Sequence, residues 1–178
     1  MRGRSRCAFF EDRSVAEGII IREVKPEDVE TMAGIAKAAW TPVFAHRRKL
    51  VGDEVFEANW PDALENKATQ VRRACSDEST AEVRVAEVDG TVAWFVTFYL
   101  NVKPGEGEIG NNAVHPDFQG RGIAQRMYAH AFDAMRAAGM ALCKVATGLD
   151  DAHIPARRAY EKAGFDMSLP TLTYYRKL

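Results

Sequence analysis

Residues 82–138 constrain the fold of this chain more than any other stretch. Residues 82–87 alternate, with Val83, Val85 and the following Val88 apolar, and residues 91–99 form a second, strongly apolar strand-like run. Asp89-Gly90 joins them, a pair favoured in two-residue hairpin turns because its backbone twist matches that of the flanking strands. Lys103-Pro104-Gly105 leads into a third run at 108–114, which Pro116 ends. Residues 120–138 then carry apolar side chains at Ile123, Met127, Ala131, Phe132 and Met135, the stripe of an amphipathic helix, with Gly139 placed to stop it. Three strands joined by short turns demand antiparallel neighbours, and the helix that follows must bury its stripe on their sheet.

The flanks complete the pattern. Residues 18–24 are a β-branched strand, and Pro26-Glu27-Asp28 opens a helix whose stripe is Val29, Met32, Ile35, Ala36 and Trp40. Asp53 caps a second helix through Phe56; Pro61 interrupts or restarts it, and Leu64, Ala68, Val71 and Cys75 carry its stripe onward. Strands are expected at 141–147 and 171–176, with a short helix over 155–163 between them, closed by Gly164. The expected class is α/β in the α+β sense: a mixed, mostly antiparallel central sheet flanked by about four helices. Length supports one domain: 178 residues with 47% hydrophobic and 28% charged side chains. We assign 18–178 to it and 1–17 to an N-terminal extension.

Composition excludes several partners. Lys plus Arg number 24 against 25 Asp plus Glu, so there is no basic excess for nucleic acid. The most apolar stretch, residues 92–100, is far shorter than the ~20 residues of a membrane span. Arg2, Arg4 and Arg6 precede too short an apolar run for a signal peptide. Cys7, Cys75 and Cys143 are odd in number and scattered, so a reducing, cytoplasmic setting is expected. His46, His115, His130 and His153 have no metal-ligand spacing, and no metal is expected.

Chemistry concentrates where the third strand turns into the long helix. Gln119, Gly120, Arg121, Gly122, Ile123, Ala124 and Gln125 form a Gly-rich entry to a helix N-terminus. The first amides of a helix lack intrahelical partners and carry roughly half a positive charge, so the turn is a candidate anion cradle. Two rival motifs fail on context. Gly105-Glu106-Gly107-Glu108-Ile109-Gly110 spells GxGxxG but leads into a strand rather than a helix, and the 120–122 turn lacks the Lys and Ser/Thr of a P-loop.

Further on stands Ala156-Arg157-Arg158-Ala159-Tyr160-Glu161-Lys162-Ala163-Gly164-Phe165. Together with Gln119-Gly120-Arg121-Gly122-Ile123-Ala124, this block resembles the GNAT superfamily of acetyl-CoA-dependent N-acetyltransferases. The first matches its Gln/Arg-x-x-Gly-x-Gly/Ala loop and the second its AxxxYEKxGF signature, and the likeness runs from Glu108 to Phe165. The resemblance implies the GNAT fold and acetyl-CoA as co-substrate. It implies that backbone groups at Ala113 and Val114 hold the pantetheine arm, that amides from Gly120 through Gln125 hold the pyrophosphate, and that Tyr160 lies near the CoA sulfur. Many members carry Asn where this chain has His153, which can still donate one hydrogen bond to the cofactor.

The implied reaction is direct attack of an amine on the thioester. An alkyl amine with a pKa near 10 is roughly one part in a thousand neutral at pH 7, a handicap of ~4 kcal/mol that a base must offset. Glu108 stands eleven residues before Gln119, the spacing at which histone-type members place a catalytic Glu, and it is the candidate base. Strand alternation puts Glu108, Gly110, Asn112 and Val114 on one face and Ile109, Asn111 and Ala113 on the other. Two adjacent Asn residues suit a strand poorly, so one of them, Asn112, is a candidate for the site. Tyr160 is expected to donate a hydrogen bond to the departing thiolate. Cys143 reads as a small apolar residue and His115 as a turn residue.

The family's acceptor site lies between early helices and late loops. Trp40, Phe44 and Trp60 are candidates to line it, with Asp53, Glu54 or Glu57 drawing in a cationic amine. The acceptor is then a small-molecule or peptide amine. Two other functions stay open: N-terminal acetylation of a protein or peptide, and a non-catalytic acyl-CoA sensor. A homodimer is also compatible with the resemblance.

Overall fold

The computed structural model describes residues 18–176 and Leu178; the extension assigned to 1–17, with Cys7, lies outside the described residues. Five strands, β1 (Ile19–Glu23), β2 (Glu82–Val88), β3 (Thr91–Lys103), β4 (Glu106–Val114) and β5 (Leu142–Val145), form one sheet in chain order. β1 to β4 pair antiparallel and β5 joins β4 in parallel, so the sheet is mixed and mostly antiparallel. Asp89 and Gly90 both take positive φ between β2 and β3, as the hairpin turn requires.

The helices are α1 (Val29–Val51), α2 (Asp53–Asn59), α3 (Ala63–Ala74), α4 (Ile123–Ala137) and α5 (Ile154–Lys162). A 3-10 turn at Pro26–Asp28 leads into α1, which runs past the expected stripe and through Pro42 to Val51. α2 and α3 split at Pro61, giving five α-helices among the described residues where the apolar periodicity suggests about four.

Two apolar layers sandwich the sheet. Met32, Ile35 and Ala36 of α1 and Val71 and Ala74 of α3 pack on Val83, Val85, Phe95 and Ala113. On the opposite face Ile123, Met127, Tyr128, Ala131 and Met135 of α4 and Tyr160 of α5 pack on Trp94, Val96, Phe98 and Ile109. Each large apolar side chain buried in these layers contributes about 1.5–3 kcal/mol.

Two sequence expectations are corrected. Val96 lies opposite Asn112 but Phe98 opposite Ile109, so three steps along β4 match two along β3. This bulge at Gly110 and Asn111 breaks the simple alternation: Ile109 and Ala113, expected on one face, belong to opposite layers. Gly110 is required there, because a Cβ would sit 2.6 Å from the buried Thr97 Oγ1. The second correction is at the C-terminus, where 171–176 form no strand and pair with none. Strand propensity is realised only against a partner edge, and this segment instead sets Tyr175 against Trp60, ring centroids 6.1 Å apart.

Candidate active site

The site begins where two strands part. β4 and β5 pair from Glu106 opposite Leu142 to Ile109 opposite Val145, and there the ladder stops. The next β4 residues are the bulge, which swings the strand away. From Gly110 to Val114, β4 is paired with β3 alone, so alternate peptide groups around Ala113 and Val114 face an open edge. An extended arm can add there as a strand would.

The turn after β4 opens at the same end. His115 accepts from the Asp117 amide and starts a 3-10 turn, the turn role expected for it. Gly120 and Gly122 have φ of 79° and 73°, and Gly122 is the residue from which α4 springs. A Cβ at either would meet nothing, so left-handed backbone and not crowding selects glycine here. The Gln119 amide bonds Pro116 O and the Gln125 amide bonds Gly122 O. Among the described residues, the amides of Gly120, Arg121, Gly122, Ile123 and Ala124 have no acceptor. Five consecutive donors at the positive end of a fifteen-residue helix form an anion cradle. Gln125 does not face it with its side chain, which donates to Ala159 O and ties α4 to α5. Arg121 stacks on Phe118 and reaches back to Asp117 O.

Tyr160 stands on the α4–α5 face of the bulge, 8% exposed, its ring against Tyr128 and Phe165. Asn112 Nδ2 donates to its hydroxyl at 3.1 Å, while Asn112 Oδ1 accepts from Tyr128 at 2.8 Å. Because the amide donates, the Tyr160 oxygen accepts there and keeps its own O–H for another acceptor. Burial raises the Tyr160 pKa above the ordinary phenol value, against the Asn112 and Tyr128 hydrogen bonds, so it stays protonated near neutrality. Tyr128 was not anticipated. The available signal was a tyrosine beside Met127 on the buried stripe of α4, whose polar tip needed a partner.

Glu108 lies on the other face of the sheet. The bulge separates it from Asn112, and Lys144 of β5 lies 3.2 Å from its carboxylate and 3.4 Å from Glu106. His153 ends the 3-10 turn before α5, its Nδ1 2.7 Å from Asp150 Oδ2. Burial alone would raise the Asp150 pKa, but His153 and the Ala152 amide outweigh it and hold the carboxylate low, a firm anchor for the ring. Cys143 packs among apolar neighbours and burial pushes its thiol up to about 11, as suits a small core residue.

The aromatic candidates divide. Phe44 and Trp60 line a groove of about 450 Å³ between α1, α2 and α3, whereas Trp40 sits under Lys67 beside β4. Of the acids expected to attract a cation, Asp53 and Glu57 are both held by Arg48. Among the described residues no cluster of His, Cys, Asp and Glu is arranged for a metal ion, and no helix is long and apolar enough to cross a membrane.

The parted β4–β5 pair opens beside the helix-start anion cradle. The family model for GNAT acetyltransferases aligns with residues 51–165, spanning both features. The chain belongs to the GNAT acetyltransferase family. No curated protein matches it by sequence. Its fold is shared with the PaiA N-acetyltransferase of Thermoplasma acidophilum in complex with coenzyme A, at TM-score 0.64 and 19% identity, over 85% of this chain and 92% of that one. A GNAT acetyltransferase of Brucella melitensis in complex with acetyl-CoA aligns at TM-score 0.53 and 24% identity, over 84% and 83%. The aminoglycoside N-acetyltransferase AAC(6′)-Iy, in complex with a CoA-acetylneamine bisubstrate analogue, aligns at TM-score 0.57 and 15% identity, over 91% and 100%. The GNAT family is one of acyltransferases, and its likeness to these structures lies in the fold.

Proposed function

We propose that this GNAT-family chain moves the acetyl group of acetyl-CoA to a primary amine. The observation that carries this reading is the run of unengaged amides at 120–124 next to the unpaired edge of β4. That pair fits a diphosphate continued by an extended amide-containing arm, and the CoA complexes of the similar structures support it. Acetyl-CoA supplies the activated thioester; the remaining tasks belong to this chain.

The amides of residues 120–124 hold the diphosphate, and peptide groups at Ala113 and Val114 pair with the arm. His153, fixed by Asp150, offers its second ring nitrogen to the cofactor. Glu108 takes the first proton from the acceptor ammonium, and it lies on the α1–α3 side of the sheet where the acceptor enters. The amine nitrogen bonds the acetyl carbon as the carbon–sulfur bond breaks, and the second proton from nitrogen ends on sulfur. Tyr160 donates its hydrogen bond to that sulfur. Full proton transfer from a phenol near pKa 10 to a thiolate near 8.5 is uphill by ~2 kcal/mol in water. Burial of Tyr160 adds to that cost, so its role is to stabilise the departing charge.

The test is acetyl-CoA binding by calorimetry followed by turnover across an amine panel that includes peptides with free N-termini. Binding with transfer supports the proposal. Tight binding without transfer to any amine identifies a sensor, and no binding rejects the reading altogether.

A further inference from the structure

Several half-buried cations among the described residues have carboxylate partners. Arg22 pairs with Asp28 and Glu87, Arg84 with Glu23 and Glu82, and Arg48 with Asp53 and Glu57. Lys67 and Arg47 have none among the described residues. Lys67 Nζ lies 4.5 Å over the Trp40 ring, 2.9 Å from Gln70 Oε1 and 3.1 Å from Asn111 Oδ1. These neutral oxygens occupy two of its three N–H donors. Arg47 lies over Phe44 at 5.6 Å and Trp60 at 4.9 Å. Burial first, and then Arg47, weaken the hold of Lys67 on its proton, and no carboxylate offsets them. Two half-buried like charges on aromatic platforms, without a counter-charge from the described residues, are costly unless something else supplies one.

Their position says what that is. Asn111 is a bulge residue, and its neighbour Asn112 holds Tyr160 from the opposite face. Lys67 therefore reaches the bulge from the α1–α3 side, the side of Glu108, while Tyr160 reaches it from the α4–α5 side. We propose that the acceptor amine carries a carboxylate, which Lys67 binds with Arg47 behind it and Trp40 as the wall beneath. This rests on the acetyl-transfer reading and deepens it. A polycationic amine would meet like charge at the same place, whereas an amino acid offers a nucleophilic nitrogen and the missing anion in one small molecule.

The experiment compares free L-amino acids with their own carboxamides as acceptors, in wild type, Lys67→Met and Lys67→Arg. Wild type is expected to favour at least one acid over its carboxamide by about tenfold or more in kcat/KM. That ratio should collapse toward one in Lys67→Met, return in Lys67→Arg, and leave the acetyl-CoA KM unmoved. Equal use of acid and carboxamide, a ratio that survives Lys67→Met, or preference for spermidine over every acid overturns the proposal while leaving acetyl transfer intact. Calorimetry on the CoA-saturated protein separates the two readings. An acid that binds where its carboxamide does not, with binding lost in Lys67→Met, supports the carboxylate site even if no transfer occurs, in which case acetyl transfer alone falls. If no acid binds, the carboxylate site is rejected. The wild-type comparison is sufficient should Lys67→Met fail to fold.

Discussion

Tyr160 and Asn112 make one unit, because the amide that fixes the phenol oxygen donates to it and does not consume the phenol proton. Tyr160→Phe removes that proton while keeping the ring against Tyr128 and Phe165. A hydrogen bond to a developing charge is worth about 1.5–3 kcal/mol, so kcat should fall roughly ten- to hundredfold with the acetyl-CoA KM nearly constant. Steady-state kinetics under conditions where chemistry limits turnover checks this, and an unaltered kcat removes Tyr160 from the reaction. Glu108→Gln keeps shape and loses basicity. The loss in rate should be largest at low pH, where the amine is most fully protonated, and a uniform pH–rate ratio between the two proteins would take the proton-acceptor role away from Glu108. At this scale the sequence singled out Tyr160 as a candidate because a motif flanks it. It was silent on Tyr128 and Lys67, whose partners stand 16 and 44 residues away.

The proposed cofactor grip belongs to the scale of elements. The start of α4 presents its amides because Gly120 and Gly122 hold left-handed backbone, a conformation that a substituted residue strains. Asp and Asn tolerate that conformation similarly and differ in charge, so the pair separates strain from electrostatics. Gly122→Asn should weaken CoA modestly, and Gly122→Asp should weaken it on the order of a further tenfold or more, since it sets an anion against the diphosphate. Equal affinities for the two variants by calorimetry would mean that the α4 entry does not hold the phosphates. Helix and hairpin positions followed from periodicity and turn chemistry, including the restart at Pro61. The bulge in β4 did not. A two-residue period has no term for an extra residue, and this one depends on close approach of Gly110 to Thr97 on the neighbouring strand.

Across the whole molecule, one polar cluster locks the first strand, its sheet neighbour and the entry to α1. Arg22 of β1 binds Glu87 of β2 at 2.8 Å and Asp28 at 2.6 Å, and Asp28, only 5% exposed, also accepts from the Lys25 amide. The Arg22 hydrogen bond, against burial, lowers the Asp28 pKa below its ordinary 3.8. A depressed carboxylate stabilises the fold above its unfolded pKa and loses that contribution as pH falls through the folded one. Asp28→Asn should therefore cost on the order of 3 kcal/mol at neutral pH. The gap from wild type should narrow as pH drops below 3.8 and close once the native carboxyl is itself protonated. Urea melts between pH 7 and pH 3 measure it, and a pH-independent gap would mean that the pair contributes only packing.

Read alone, the chain indicated its five paired strands, most of its helices and the Gly-rich helix start, since apolar period, capping and turn preference are properties of residues close together in sequence. Folding decided where β4 and β5 part, which side of the sheet each β4 residue faces, that 171–176 stay unpaired, and that Lys67 and Arg47 meet no acid among the described residues. Those outcomes depend on steric and electrostatic contact between residues far apart along the chain, which the order of amino acids does not display.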